Sequence, residues 1–346
     1  MKRLTYISTA NNLTTEQLND ISEVSIANNQ RDNITGVLLY LNEIFFQIIE
    51  GDEKRVDALY HKILADERHT DILCLKTECE VSEKMFPNWA MKTINLGQET
   101  GVLLQPVKTL LQTITESHRI LEKYTQPSIA NLIRCGLNPL TVSPRAIEKI
   151  IFFSDIVSFS TFTEKLPIND VVALVNHYLR ICSNIISAYG GVVNKFMGDG
   201  IMASFNQEQV DDAIQAGLTI LNELDSLRES AESGNPLRLL HTGIGLSYGT
   251  VIEGNMGGGT VKMDYTLLGD AVNVAARLES LTRHLPWALL MSEQVKLHAQ
   301  KQWPFVSLGQ HQAKGKQEGI EVYSLDIAVM RIAPFEIVEA IKKCIS

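Results

Sequence analysis

Apolar and polar positions alternate in short runs over the first hundred residues. Leu4-Thr5-Tyr6-Ile7 reads as a short strand. Gly36 to Leu41 and Ile44 to Ile49 read as two more, and Asn42-Glu43 between them predicts a tight hairpin. Ile72 to Leu75 is a further strand. Thr14-Thr15-Glu16-Gln17 starts a helix with acidic and amide groups in its first turn, and Val56 to Leu64 is a second, amphipathic helix. Residues 1–100 therefore form one α/β unit.

The pattern changes over residues 105–125. Val107, Leu111, Ile114, His118 and Leu121 recur at spacings of four, three, four and three. This heptad seam suits a short coiled coil between two copies of the chain, and the alternative is a helix lying on its own domain. Pro127, Pro139 and Pro144 then break up the chain, so residues 101–147 read as a helical linker.

Residues 148–327 predict a second α/β domain. Lys149 to Ile156 is a strand and Ile168 to Tyr189 a long helix. Val192 to Phe196 and Ile201 to Phe205 form a hairpin around Met197-Gly198-Asp199-Gly200. A helix covers about Val210 to Arg228. Leu239 to Ser247 and Gly249 to Asn255 read as separate strands, and Asp270 to Leu281 as a helix. The tail, 328–346, carries no readable signal.

Composition narrows the function. Hydrophobic residues are 45% and charged residues 21% of the 346, which supports packed cores. With 31 Lys plus Arg against 40 Asp plus Glu, the net charge is -9, and nucleic acid is not an expected partner. Five cysteines without metal-ligand spacing fit a reducing compartment. No secretory signal follows Met1-Lys2-Arg3, and no apolar run approaches the ~18 residues of a membrane helix. A cytoplasmic protein without a membrane partner is expected.

The second domain carries the clearest chemistry. Asp155 ends an apolar strand and Asp199 sits at a hairpin tip, so two carboxylates can meet across neighbouring strands. Each alone suits a turn or cap; together they suit a divalent cation. Asn273 and Arg277 are four apart and share a helix face, as a surface pair or as sugar and phosphate ligands. Gly254-Asn255-Met256-Gly257-Gly258-Gly259 reads as a flexible hairpin loop or a close phosphate approach. No P-loop is present, and Gly243-Ile244-Gly245 lacks the third glycine of a dinucleotide fingerprint.

FSDIVSFS, KFMGDG, DYTLLGDAVNVAARLE and KGK at 314–316, in this order, resemble the class III nucleotidyl cyclases. The resemblance implies a ferredoxin-like α/β fold working as a head-to-tail homodimer, with sites at the interface. It implies Mg²⁺ or Mn²⁺ at Asp155, Ile156 and Asp199. Lys195 and Thr266 match the base-reading pair, with Asp264 beside them. Asn273 matches the ribose-orienting residue, Arg277 the transition-state arginine and Lys314 the phosphate-gripping lysine, ahead of Lys316. Adenine offers an acceptor at N1 and a donor at N6, which a Lys and a Thr satisfy, so ATP is the implied substrate and cyclic AMP the product. A guanylyl cyclase, or a light sensor with a silent cyclase-like module, is the alternative. Gly200 stands where close relatives often carry Cys.

The first unit resembles the BLUF domains, blue-light sensors that hold a flavin non-covalently. The matching residues are Tyr6 in LTYIS, Asn28 and Asn29 ahead of ITGVLLY, Gln47 in FFQIIEG, Arg68 in DERH, and Trp89-Ala90-Met91. The resemblance implies FAD or FMN, light-driven electron and proton transfer from Tyr6, and a changed tautomer or orientation of Gln47. Trp89 and Met91 are implied to pass the change outward. Sensor, heptad helix and cyclase together match the order in the photoactivated adenylyl cyclases of bacteria.

Overall fold

A computed structural model describes residues 1–11, 13–97, 104–232, 235–258, 262–312 and 319–330. The chain forms two compact units, Met1–Val142 and Ser143–Ser346.

The first unit is built on a five-stranded sheet. Its strands are β1 (Lys2–Ala10), β2 (Thr35–Leu41), β3 (Ile44–Gly51), β4 (His69–Glu78) and β5 (Lys92–Asn95), in the order β4-β1-β3-β2-β5. The expected hairpin turns at Asn42 and Glu43, both with positive φ (45° and 67°), a turn whose twist suits the flanking strands. Helix α1 (Thr15–Arg31) begins at a capping box, Thr14 with Gln17. With α2 (Glu53–Leu64) it supplies Leu18, Val56 and Tyr60 to a core shared with Leu4, Tyr6, Leu38 and Phe45.

The other sheet face is covered by α3 (Leu104–Tyr124), and the Leu111 and Ile114 part of the expected seam lies on this unit's own sheet. Leu111 is 5% exposed and packs on Ile7, Leu41, Ile44 and Leu96, with Ile114 beside it. Val107 and Leu121 are exposed. A seam through Leu111 therefore closes this unit's own core, because the sheet's second apolar face needs a cover. The exposed apolar residues keep Val107 and Leu121 of the expected seam, with Leu110 and Tyr124 in place of Leu111 and His118. Pro127 does not break the chain: it opens α4 (Pro127–Arg134), where a proline at the first turn costs no hydrogen bond.

The second unit has an eight-stranded sheet. Its path runs β12-β13-β11-β9-β6-β8-β7, and β10 pairs with β9. The central strands are β6 (Arg145–Ile156) and β9 (Thr242–Gly258), flanked by β7 (Val192–Met197) and β8 (Gly200–Asn206). Beyond them lie β10 (Lys262–Leu268), β11 (Leu289–Ser292), β12 (Phe305–His311) and β13 (Ile320–Leu325). Two strands expected around Tyr248 are one, because β6 pairs with β9 continuously from Arg145↔Glu253 to Ile156↔Thr242. Gly254 to Gly258 extend β9 against β10 rather than forming a loop. Gly259 lies outside the described residues, as do the tail from 331 and the Lys314–Lys316 motif.

Helices α6 (Ile168–Ala188) and α7 (Val210–Ser230) cover one sheet face, burying Leu174, Tyr178, Ile214 and Leu224. Short α5 (Phe159–Lys165) precedes them, and α9 (Glu293–His298) follows β11. By length and mean hydropathy, 1.2, α6 is long and apolar enough to cross a membrane, which run length alone did not reveal. Its Val171, Leu174, Tyr178, Cys182 and Ile186 form a buried stripe at helical spacing. Helix α8 (Asp270–Leu281) covers the other face. It approaches β9 over Gly243 and Gly245, where a side chain at 245 would lie 2.2 Å from the Ala275 carbonyl oxygen. The glycine pair thus serves close helix–strand packing.

Candidate functional sites in the two units

In the first unit a cleft of about 200 Å³ opens between the sheet and helices α1 and α2. Tyr6, Asn28, Asn29, Gln47, Arg68 and Met91 all line it. Tyr6 and Gln47 are directly paired on β1 and β3, and the Tyr6 hydroxyl donates to Gln47 Oε1. Gln47 Nε2 donates to Met91 Sδ at 3.5 Å. Burial holds the Tyr6 phenol protonated, far above its ordinary range. Asn29 Nδ2 donates to the Ala90 carbonyl at 2.8 Å, which leaves its Oδ1 for a ligand. Arg68 is held by Asp66 at 2.5 Å.

Trp89 is not in this cleft: it is 40% exposed and stacks on Phe86. The segment carrying it is tied down nearby. Glu50 accepts from the Met85 and Phe86 amides at 2.9 and 2.6 Å, and Gly36 donates to the Trp89 carbonyl at 2.9 Å. Lys62, Asp66 and His69 also line the cleft. Lys62 gives no sequence signal because only folding brings the end of α2 over the sheet. A mostly apolar cleft with a buried Tyr–Gln–Met relay and the cationic side chains Lys62 and Arg68 in its lining fits a flavin, which Tyr6, Asn28, Asn29, Gln47, Arg68 and Met91 would hold.

In the second unit Asp155 ends β6 and Asp199 occupies the β7–β8 turn, next to Gly198 at φ 71°. The two carboxylates face each other. Burial, with Asp155 adjacent, pushes Asp199 up to about 7. Asp199 Oδ2 is buried without a hydrogen-bond partner. An orphaned carboxylate oxygen beside a second carboxylate fits a divalent cation. The Ile156 amide donates to Asp155 Oδ1 at 3.1 Å, and the Ile156 side chain is buried. Gly200 keeps that space open, since a Cβ there would lie 3.2 Å from Asp155 Oδ1.

Two groups absent from the sequence reading border this pair. Arg283 Nη2 lies 2.6 Å from Asp155 Oδ2 and 3.2 Å from Glu279 Oε1. Burial pushes Glu279 up to about 7, against the pull of Arg283. The i,i+4 spacing of Glu279 and Arg283 was the available signal. Beneath them Tyr178 donates to Ser154 Oγ at 2.9 Å, and Thr242 Oγ1 donates to the Asp155 carbonyl at 2.8 Å.

Lys195 and Asp264 meet, Nζ to Oδ2, at 2.5 Å. Thr266 is half-buried two residues along β10, on the same strand face as Asp264. Asn273 is exposed and Arg277 half-buried on α8. At about 100° per residue they point away from the face of Ala271, Ala275 and Glu279, which meets the sheet. Lys314 lies outside the described residues.

Residues 1–92 match the family described as sensors of blue-light using FAD (BLUF). Residues 142–326 match the adenylate and guanylate cyclase catalytic domain. The photoactivated adenylate cyclase subunit alpha of Euglena gracilis is 29% identical over 342 residues, covering 96% of this chain and 33% of that protein. The subunit beta from Euglena longa is 29% identical over 295 residues, covering 84% of this chain and 34% of its own. The chain thus spans about one third of the length of these curated relatives. A solved bacterial light-regulated adenylyl cyclase superposes with a TM-score of 0.91 at 58% identity, covering 100% of this chain and 99% of that one.

Proposed function

This chain belongs to the adenylate and guanylate cyclase family, with a flavin-binding BLUF domain ahead of the catalytic one, and on that premise we propose a blue-light-activated adenylyl cyclase. It converts ATP to 3′,5′-cyclic AMP and pyrophosphate as a homodimer. The carrying observation is the division of the site on one chain. Asp155 lies against Glu279 and Arg283, whereas Asn273 and Arg277 point off the far side of α8. One chain does not bring the two sets together, which supports a site completed by a second copy arranged head to tail. The exposed register of α3, Val107, Leu110, Leu121 and Tyr124, supports a contact between copies.

The reaction forms a bond from ribose O3′ to the α-phosphorus and breaks the bond from that phosphorus to pyrophosphate, with loss of the 3′-hydroxyl proton. Asp155, Ile156 and Asp199 would hold Mg²⁺ or Mn²⁺, which would supply Lewis acidity to the reaction. Lys195 donates to adenine N1 and the Thr266 hydroxyl accepts from the N6 amino group. Asp264 aims the Lys195 ammonium through their ion pair. Asn273 orients the ribose, Arg277 stabilises charge developing on the phosphate, and Lys314 grips the leaving group.

In the sensor the bound flavin, FAD in the description of the matching family, supplies the absorption of blue light and an electron acceptor. Tyr6 would be the electron and proton donor, and Gln47 would change its tautomer or which of its ends faces Tyr6 and which faces Met91.

The proposal is tested by mixing. Asp155→Ala and Arg277→Ala chains, each inactive alone, regain activity when co-expressed, because one of the two shared sites in the heterodimer is intact. A confirmed heterodimer without activity contradicts the shared site.

A further inference from the structure

The Asp155 carboxylate has a resident cation from its own chain. Arg283 Nη2 sits 2.6 Å from Asp155 Oδ2, and the same guanidinium nitrogen lies 3.2 Å from Glu279 Oε1. The three side chains differ in freedom. The Glu279 side chain is 9% exposed, and α8 is pressed so closely on β9 that a side chain at Gly245 would lie 2.4 Å from the Glu279 amide. The Arg283 side chain is 40% exposed, and it lies one residue past the Thr282 cap of α8 rather than within the helix. Glu279 is therefore fixed and Arg283 can swing.

A guanidinium and a divalent cation at Asp155 Oδ2 exclude one another, by space and by like charge. The guanidinium fork can serve two carboxylates or one. Once Asp155 is taken by another cation, Glu279 remains as a buried carboxylate that needs a partner, and leaving it bare is costly. We propose that Arg283 is an exchangeable counter-ion: it neutralises Asp155 until the divalent cation binds, and Glu279 is the carboxylate onto which it is displaced. This rests on the reading of Asp155 and Asp199 as metal ligands.

The proposal gives neighbouring residues opposite effects on metal affinity. Arg283→Gln removes the competitor and tightens Mn²⁺ binding by about three- to fivefold, the scale of a partly exposed ion pair. Glu279→Gln removes the alternative seat and weakens Mn²⁺ binding by a similar factor. Arg283→Lys keeps the charge and stays within about twofold of the unmodified protein. The measurement is Mn²⁺ titration of the dark, flavin-loaded full chain, with free Mn²⁺ read by electron paramagnetic resonance and no nucleotide present.

Asp155→Asn is the control for the underlying reading. If it binds Mn²⁺ as tightly as the unmodified chain, the metal assignment itself is wrong. If Asp155→Asn loses binding but Arg283→Gln binds Mn²⁺ equally or more weakly, Arg283 holds Asp155 in its ligating position and the exchange is overturned. Should Arg283→Gln not fold, Glu279→Gln decides: unchanged or tighter binding rejects the proposal, and weaker binding with an unchanged melting temperature supports it.

Discussion

The Tyr6 hydroxyl donates to the Gln47 side-chain oxygen across directly paired positions of β1 and β3, and the other end of the same amide donates to Met91 Sδ. Both ends of Gln47 are thus committed. Reversing the amide turns an acceptor toward Met91 and a donor toward Tyr6, so the relay has two distinct arrangements. Met91 lies at the end of a segment fixed to the sheet through Glu50 and Gly36, so a change at Gln47 meets a held backbone. Light can shift activity only by the difference it makes between these two arrangements.

Tyr6→Phe removes the donor to Gln47 while keeping the ring that packs 5.6 Å from Tyr60. The variant is expected to retain flavin and dark activity, to lose the light-induced red shift, and to show a light-to-dark activity ratio near one. Absorption spectra and cyclic AMP assays on the same preparation check this. Strong light activation in Tyr6→Phe means that the relay begins elsewhere.

Asp155→Ala and Asp199→Ala each remove one of two facing carboxylates from the second unit only. Both are expected to abolish turnover and to lose tight Mn²⁺ binding, with the flavin spectrum unchanged. Near-normal turnover with Mg²⁺ or Mn²⁺ in either variant rejects the metal assignment.

Much of this was legible in the sequence because it is local. The Asn42-Glu43 turn, the Gly-Asp-Gly hairpin and the bounds of α8 follow from neighbouring residues. What escaped depends on partners distant in the chain. The strand β9 runs through Tyr248-Gly249, which resembles a turn, because pairing with β6 carries it past that point. The heptad at Leu111 was real but served the sheet, since spacing tells which residues share a face and not what covers it. Arg283 had no motif to announce it; only the fold brings it to Asp155.

On the proposed reading, base choice follows from the donor at Lys195 and the acceptor at Thr266. Lys195→Glu with Thr266→Gly supplies an acceptor for guanine N1–H and N2–H and makes room for O6. The double variant is expected to shift preference from ATP toward GTP, read as the ratio of kcat/KM values. A folded double variant that keeps its ATP preference locates the base pocket elsewhere.

Acid stability carries a separate signature. Burial, with Arg228 nearby, holds half-buried His241 down at about 3, whereas a histidine in an unfolded chain titrates near ~6.5. As pH falls, the unfolded chain takes up this proton first. The contribution of His241 is complete above about pH 6.5 and is lost progressively toward pH 3. His241→Gln is expected to flatten the fall in melting temperature of the second unit between about pH 6.5 and 4.5. An unchanged slope removes His241 from the account.

The most direct test of the whole reading is the rate of cyclic AMP formation from ATP and Mg²⁺ by the purified, flavin-loaded chain, in darkness and then under blue light. A single allosteric coupling of ordinary size, about 5- to 150-fold, sets the scale of the expected rise in light. Equal rates in darkness and light, or no cyclic AMP in either, contradicts it.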